Sequence, residues 1–219
     1  MPMTLTSKEN LKEELINAFT SKEIVFFKKD DIIYSEKNEA KGIYFIKEGR
    51  VKVTKRMSAG EAKIIRLINR GSFLGMHSVI NGNYYNNTAI ALEDTEAFFV
   101  RREQFLDKIN HDINLKLLVM KLLCEKIDDV ENQISSLSEK SASGRLAETL
   151  ILLDDTYGCN EDNFLNIRLS SADLAQLTGA SKGYLVKIIS QFNNNKWIQT
   201  TGNKIKILDK SRLYEVVRS

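Results

Sequence analysis

Leu169–Phe192 reads LSSADLAQLTGASKGYLVKIISQF, two short helical patterns around one glycine. Ser170 and Ser171 suit the cap of a first helix, and Asp173 falls in its first turn, where the helix dipole favours an anion. Leu174, Ala175 and Leu177 supply an apolar face. Gly179 tolerates the positive φ that a tight turn requires. Ser181 suits the cap of a second helix. There Leu185, Ile188, Ile189 and Phe192 follow the i, i+3, i+4, i+7 spacing of a buried stripe. The opposite face carries Gly183, Val186, Lys187 and Ser190, flanked by Lys182, Tyr184 and Gln191. This is a helix-turn-helix with a small, basic, hydrogen-bonding outer face, a form that lies in a DNA major groove. The competing reading is an αα-corner whose lysines face water.

The following residues favour DNA. Trp197-Ile198 is an apolar anchor, and Ile198 to Thr200 and Lys204 to Ile207 read as two strands around a Gly202-Asn203 turn, the wing of a winged helix. From Ser170 onward there are 8 Lys or Arg and 3 acids, a balance of +5 in a chain of +3, so residues 1–169 carry −2. Positive charge gathers beside the candidate recognition helix, as phosphate neutralisation needs. The expected DNA contacts are Ser170, Ser181, Lys182, Gly183, Tyr184, Lys187 and Ser190, with Lys204 and Lys206 of the wing on phosphates.

Working towards the N-terminus, Arg145 to Leu153 reads as a helix and Asp154 to Phe164 as an acidic loop. Ser138 to Gly144 is small and polar, the composition of a hinge. Before it lies a long helical stretch, about Ile113 to Leu137. With Ile113 as heptad position a, the a residues are Ile113, Met120, Ile127 and Ile134, and the d residues are Lys116, Leu123, Val130 and Leu137. Seven of these eight are apolar. This is a coiled-coil seam, most simply that of a parallel homodimer held by Met120, Leu123, Ile127, Val130, Ile134 and Leu137. Leu117, Leu118, Val119 and Leu122 form a second apolar face, directed at the chain's own N-terminal half.

That half changes period. After a short helix over Leu11 to Phe19 come EIVFF, DIIY, GIYFIKEG, RVKVTKRM and AKIIRLI, short β-rich runs from Glu23 onward, then Tyr84 to Leu92 and Glu96 to Val100. Six of the 11 glycines punctuate the segment. Short strands with glycine corners imply an antiparallel barrel, sandwich or jelly roll. A helix over Arg101 to Ile109 closes it. The fold class is α+β: an N-terminal antiparallel β-roll over 1–110, a dimerisation helix and hinge over 111–139, and a winged helix-turn-helix over 140–219.

Composition excludes several classes. With 42% hydrophobic and 28% charged residues in 219, the chain is globular and long enough for two domains. No run approaches a membrane span and no signal peptide is evident. Cys124 and Cys159 lie far apart, which suits reduced thiols in a cytoplasm and offers no metal cluster. No nucleophile–base–acid set, P-loop or GxGxxG occurs, and Asp128-Asp129 and Asp154-Asp155 are explained as solvated helix faces, so no catalytic residue is expected.

The order of β-roll, dimer helix, hinge and winged helix resembles the Crp/Fnr family of bacterial transcription regulators. The matching stretches are Gly42 to Gly49 (GIYFIKEG), Gly71 to Gly75 (GSFLG), Gly144 to Ala147 (GRLA), and Leu169 to Ile189. The resemblance implies a jelly-roll-like domain of cyclic-nucleotide-binding type, a homodimer on a pseudo-palindromic operator with half-sites about 34 Å apart, and RNA polymerase as partner. It places a candidate effector pocket at Gly75, Met76, His77, Ser78, Asn87 and Thr88. The family's nucleotide cassette uses a glutamate and an arginine where this chain has Met76 and Asn87, and Gly71 to Val100 holds no Lys or Arg. Val130 and Glu131 fall where the cyclic-AMP receptor's dimer helix offers hydroxyls to the adenine. Cyclic AMP is therefore not the expected effector; a less charged one beneath Met76, His77 and Tyr84, or none, is. Some relatives ligate haem in this region, which makes His77 a weak candidate ligand; an iron–sulfur centre would need cysteines that the N-terminal half lacks. The family's cyclic-AMP receptor carries Arg, Glu and Arg where this chain has Lys182, Gly183 and Lys187, so the resemblance implies a different operator.

Overall fold

Short strands with alternating burial pair into sheets, because each must cover one face. The computed structural model describes residues 5–57 and 62–218. Helix α1 (Leu5–Asn17) precedes β1 (Glu23–Phe27), β2 (Ile32–Tyr34), β3 (Gly42–Glu48), β4 (Val51–Arg56), β5 (Ala62–Ile68), β6 (Phe73–Leu74), α2 (Met76–Asn81), β7 (Thr88–Ala91) and β8 (Thr95–Arg101). Then follow α3 (Arg102–His111), α4 (Ile113–Glu139), α5 (Ala142–Tyr157), α6 (Ser171–Thr178), α7 (Lys182–Asn194), β9 (Ile198–Thr201), β10 (Lys204–Ile207) and α8 (Lys210–Arg218). Two compact units result, Met1–Asp128 and Asp129–Ser219, divided within α4.

In the first unit two antiparallel four-stranded sheets, ordered β1-β8-β3-β6 and β2-β7-β4-β5, make the roll. Ile43, Ile46, Val51, Val53, Ala89, Ala97 and Val100 are fully buried between them. The same core continues through Phe105 of α3 to Leu115, Leu118, Val119 and Leu122 of α4. Leu117, expected on that inner face, is instead 48% exposed. It points to the opposite side of the helix, because 115, 118, 119 and 122 share one face and 117 lies roughly half a turn round from it.

The Tyr84 to Leu92 strand is shorter than expected and begins at Thr88. Tyr85 instead exchanges backbone hydrogen bonds with the preceding turn, donating to Asn38 and accepting from Lys37 at 2.8 Å each, and buries its ring. The Ser138 to Gly144 hinge contracts to the two residues between α4 and α5, because Ser141 caps α5 by accepting from the Gly144 amide at 3.1 Å. Asp154 to Tyr157 is the end of α5 and not loop. Its acids are neutralised by Lys210 of α8, 2.6 Å from Asp154 and 2.7 Å from Asp155. Helix α8 is a further element; its nine residues carry Leu213, Val216 and Val217 at the i, i+3, i+4 spacing of an apolar face, and only Leu213 is fully buried.

Gly42 carries a steric constraint that the roll cannot relax. A Cβ there would stand 2.2 Å from the Val100 carbonyl oxygen and 2.5 Å from the Phe99 ring. Gly42→Ala must therefore displace backbone in the central β3–β8 pair. It should lower unfolding free energy by ~3 kcal/mol, the upper range for overpacking, as read by urea titration of the first unit's transition.

Candidate nucleic-acid interface and roll interior

Two caps and one glycine set the geometry of the second unit. Ser170 caps α6 with a complete capping box: its hydroxyl accepts from the Asp173 amide at 3.1 Å, and the Asp173 carboxylate accepts from the Ser170 amide at 3.0 Å. Thr178 is buried and returns its hydroxyl to the Leu174 carbonyl at 2.8 Å. Gly179 takes φ +64°, and Ser181 then caps α7 from outside, accepting from the Tyr184 amide. Arg145 of α5 fixes the turn by donating to the Thr178 carbonyl at 2.6 Å.

Helix α7 buries Leu185, Ile188 and Phe192 to 2% exposure or less, and Ile189 is half-buried. That fixes its rotation. Lys182, Gly183, Tyr184, Val186, Lys187, Ser190 and Gln191 are all exposed. A Cβ at Gly183 would meet nothing within 4 Å, so the fold does not require glycine there. Its effect is on the outer surface, where it leaves the backbone approachable. Ser170 is half-buried and its hydroxyl is engaged by Asp173 at 2.7 Å, which gives it a structural duty. Val186, 46% exposed between two lysines, belongs to the same surface and is the residue that charge-based reading passed over; the signal was its place on the outer face.

The wing is anchored to α7 by Asn193, whose side chain accepts from the Thr200 amide and donates to its hydroxyl, both at 3.0 Å. Trp197 packs on Phe192 with ring centroids 5.2 Å apart. In the β9–β10 register Lys204 faces Thr201 and Lys206 faces Gln199. Both lysines fold toward the Asn160–Phe164 loop: Lys204 lies over the Phe164 ring at 5.8 Å and Lys206 donates to the Asp162 carbonyl at 3.2 Å.

Along α4 an apolar stripe stays in water. Ile113 (65%), Leu117 (48%), Met120 (56%) and Ile127 (57%) are exposed in the first unit, and Val130 (51%) and Ile134 (60%) in the second. Leu123 departs from the expected seam, being half-buried against the roll core; the side chain of Leu137 lies outside the described residues. In the N-terminal half the exposed stripe thus runs 113, 117, 120, 124, with Cys124 exposed on it.

The roll's candidate pocket does not assemble as expected. Met76 is 1% exposed and points into the core, whereas His77 and Tyr84 are exposed. His77 lies at the surface with Nδ1 3.0 Å from the Asn86 side chain. Ser78 donates to Asn86 Oδ1 at 3.0 Å, and Thr88 accepts from the Glu36 amide at 2.9 Å. Gly75 opens α2 at φ +78°, with Tyr85 against it. Asn87 receives the Tyr34 hydroxyl at 3.0 Å. Cations do reach this region, from strands outside Gly71 to Val100: Lys55 of β4 donates to the Asn86 carbonyl, and Arg66 of β5 acts on the Tyr34 phenol. Burial nonetheless pushes that phenol far above its ordinary value, so it stays neutral. Among the described residues no group of three His, Cys, Asp or Glu side chains is placed to hold a metal ion.

Residues 24–112 match the cyclic nucleotide-binding domain and residues 144–216 the Crp-like helix-turn-helix domain. The chain is 22% identical over 191 residues to the CRP-like cAMP-activated global transcriptional regulator of Mycobacterium tuberculosis, covering 86% of this chain and 85% of that one. It is 24% identical over 187 residues to the global nitrogen regulator of a Nostoc species, covering 83% of each. Its fold is similar to that of FixK2 from Bradyrhizobium japonicum, with a TM-score of 0.77 at 21% identity, covering 89% of this chain and 96% of that one. Two domains of these classes in this order, matched over most of the length of such regulators, make the chain a member of the Crp/Fnr family of transcription regulators.

Proposed function

We propose that this chain works as a cytoplasmic homodimer that binds a pseudo-palindromic duplex operator through α7 and signals to RNA polymerase, without cyclic AMP as its effector and without catalytic activity of its own. The division of labour follows the sequence: a roll over 1–110, a dimerisation helix over 111–139 and a DNA-binding unit over 140–219. One observation carries the reading. The capped helix α7 turns Lys182, Gly183, Tyr184, Val186, Lys187 and Ser190 outward together, in a segment whose charge balance is +5. A helix N-terminus adds partial positive charge to the same end. Lysines at this end suit guanine edges or phosphates, and an exposed valine suits the methyl group of thymine.

The apolar stripe on α4 supports the dimer. Six exposed large apolar residues on one helix, Ile113 to Ile134, are costly to leave in water, and a second copy covers them most simply. The absence of a cyclic-AMP switch is supported by Met76 pointing into the core and by Asn87 being engaged with Tyr34. Relatives named for cAMP activation and for nitrogen regulation share this architecture, so the fold leaves the signal open.

Three outcomes test the reading. Lys187→Ala should weaken operator binding by ~1–3 kcal/mol while nonspecific binding changes little, whereas Lys204→Ala should weaken both alike and lower the salt slope by about 1. Operators with deoxyuridine in place of each thymine should bind wild type more weakly at one position per half-site, by ~1 kcal/mol; in Val186→Ala that difference should vanish. In a Cys159→Ser background a bis-maleimide should join two copies through Cys124, and Ile127→Asp should abolish both the crosslink and specific binding. A monomeric wild type in light scattering would remove the dimer from the account.

A further inference from the structure

The interior of the roll is occupied by the chain's own aromatic side chains. Tyr34 of β2 and Tyr85 of the segment before β7 are 6% and 4% exposed, and their rings stack at 4.0 Å with 16° between planes. Tyr44 continues the group, 6.0 Å from Tyr34 and 4.9 Å from Phe99. Both buried hydroxyls are hydrogen-bonded. Tyr85 donates to the Gly42 carbonyl at 2.7 Å and accepts from the Gly42 amide at 3.3 Å. Tyr34 donates to Asn87 at 3.0 Å. Asn87 in turn donates to Asn86, which accepts from Ser78. One stacked pair thus ties β3, the start of α2 and the 86–88 segment together. The backbone is shaped to this pair: a Cβ at Gly75 would come within 2.9 Å of the Tyr85 ring. The cleft that does open to solvent here, about 470 Å³ and lined by Glu36, Lys37, Lys55, Tyr84, Tyr85 and Asn86, reaches Tyr85 but not Tyr34.

We propose that the Tyr34–Tyr85 pair is a built-in occupant of the roll, filling and hydrogen-bonding the interior of a domain whose class is named for binding a small molecule, so that the roll packs fully with no effector. Each ring buries on the order of 150–250 Å², comparable to a bound aromatic ligand, and neither needs a counter-ion because both phenols are neutral. The inference rests on the family assignment but not on DNA binding.

The test is therefore made on the full-length protein alone, by thermal unfolding and calorimetry. Wild type should show no shift in Tm and no heat of binding with cyclic AMP, cyclic GMP or p-cresol. Tyr34→Ala removes one ring and should lower Tm by ~10 °C. The cavity left has the shape of a phenol, so millimolar p-cresol should restore much of that loss, as apolar cavities accept matching small molecules. Tyr34→Phe keeps the ring and should fold in any case, with Tm a few degrees lower and no response to p-cresol. A wild type stabilised by any of the three compounds, a Tyr34→Ala protein that p-cresol leaves unmoved, or a Tyr34→Phe protein as stable as wild type would each overturn the proposal. Failure of operator binding would leave it untouched.

Discussion

The burial of Leu185, Ile188 and Phe192 decides what this protein can present to a partner. Three such side chains are worth ~1.5–3 kcal/mol each when buried, far more than any preference of the outer residues. They lock the rotation of α7, and the caps at Ser170 and Ser181 with the turn at Gly179 lock its start. Everything on the outer surface follows: Lys182, Tyr184, Val186, Lys187 and Ser190 face solvent because the other side is committed. Asn193 and the Phe192–Trp197 contact then carry the wing from the end of the same helix. The exposed face of α7 is thus set by one buried stripe and two hydroxyl caps.

The roll obeys a different constraint. Its strands are short and its corners tight, and Gly42 sits where β3 and β8 approach too closely for any side chain. The Tyr85 hydroxyl is held by that glycine's backbone on both its donor and acceptor sides, so sterics at the sheet and hydrogen bonding in the interior meet at one residue. Helix α4 serves two purposes. Leu115, Leu118, Val119 and Leu122 complete the roll's core, while Met120 and Ile127 remain in water. The helix thus carries two apolar faces, of which the roll covers one.

Much of this was legible in the sequence because periodicity survives without an alignment. The stripe 185, 188, 192 and the apolar spacing of 113, 120, 127, 130 and 134 along α4 are local patterns, and so are Ser170–Asp173 and Gly179. The β-runs between Glu23 and Val100 were legible as strands for the same reason. Features that depend on long-range contacts were not. Tyr84 to Asn87 has strand composition but is held by the 37–38 turn, and Leu117 and Leu123 exchange exposure because the roll lies against a particular side of α4. Lys55 of β4 reaches Asn86 across 31 residues of sequence, and Arg66 of β5 acts on Tyr34 from as distant a strand, so neither cation belongs to the local pattern of Gly71 to Val100. Lys204 and Lys206 looked free, yet both lean on the Asn160–Phe164 loop. The Tyr34–Tyr85 stack, joining residues from two distant segments, left no mark on periodicity at all.

Selection of bound sites from a pool of random duplex DNA, with the full-length protein at physiological salt, tests the central claim most directly. A dimer that reads through α7 recovers an inverted repeat whose half-sites lie one helical turn, ~34 Å, apart. Recovery of a single unrepeated element, or of no sequence beyond the starting pool, would contradict the account.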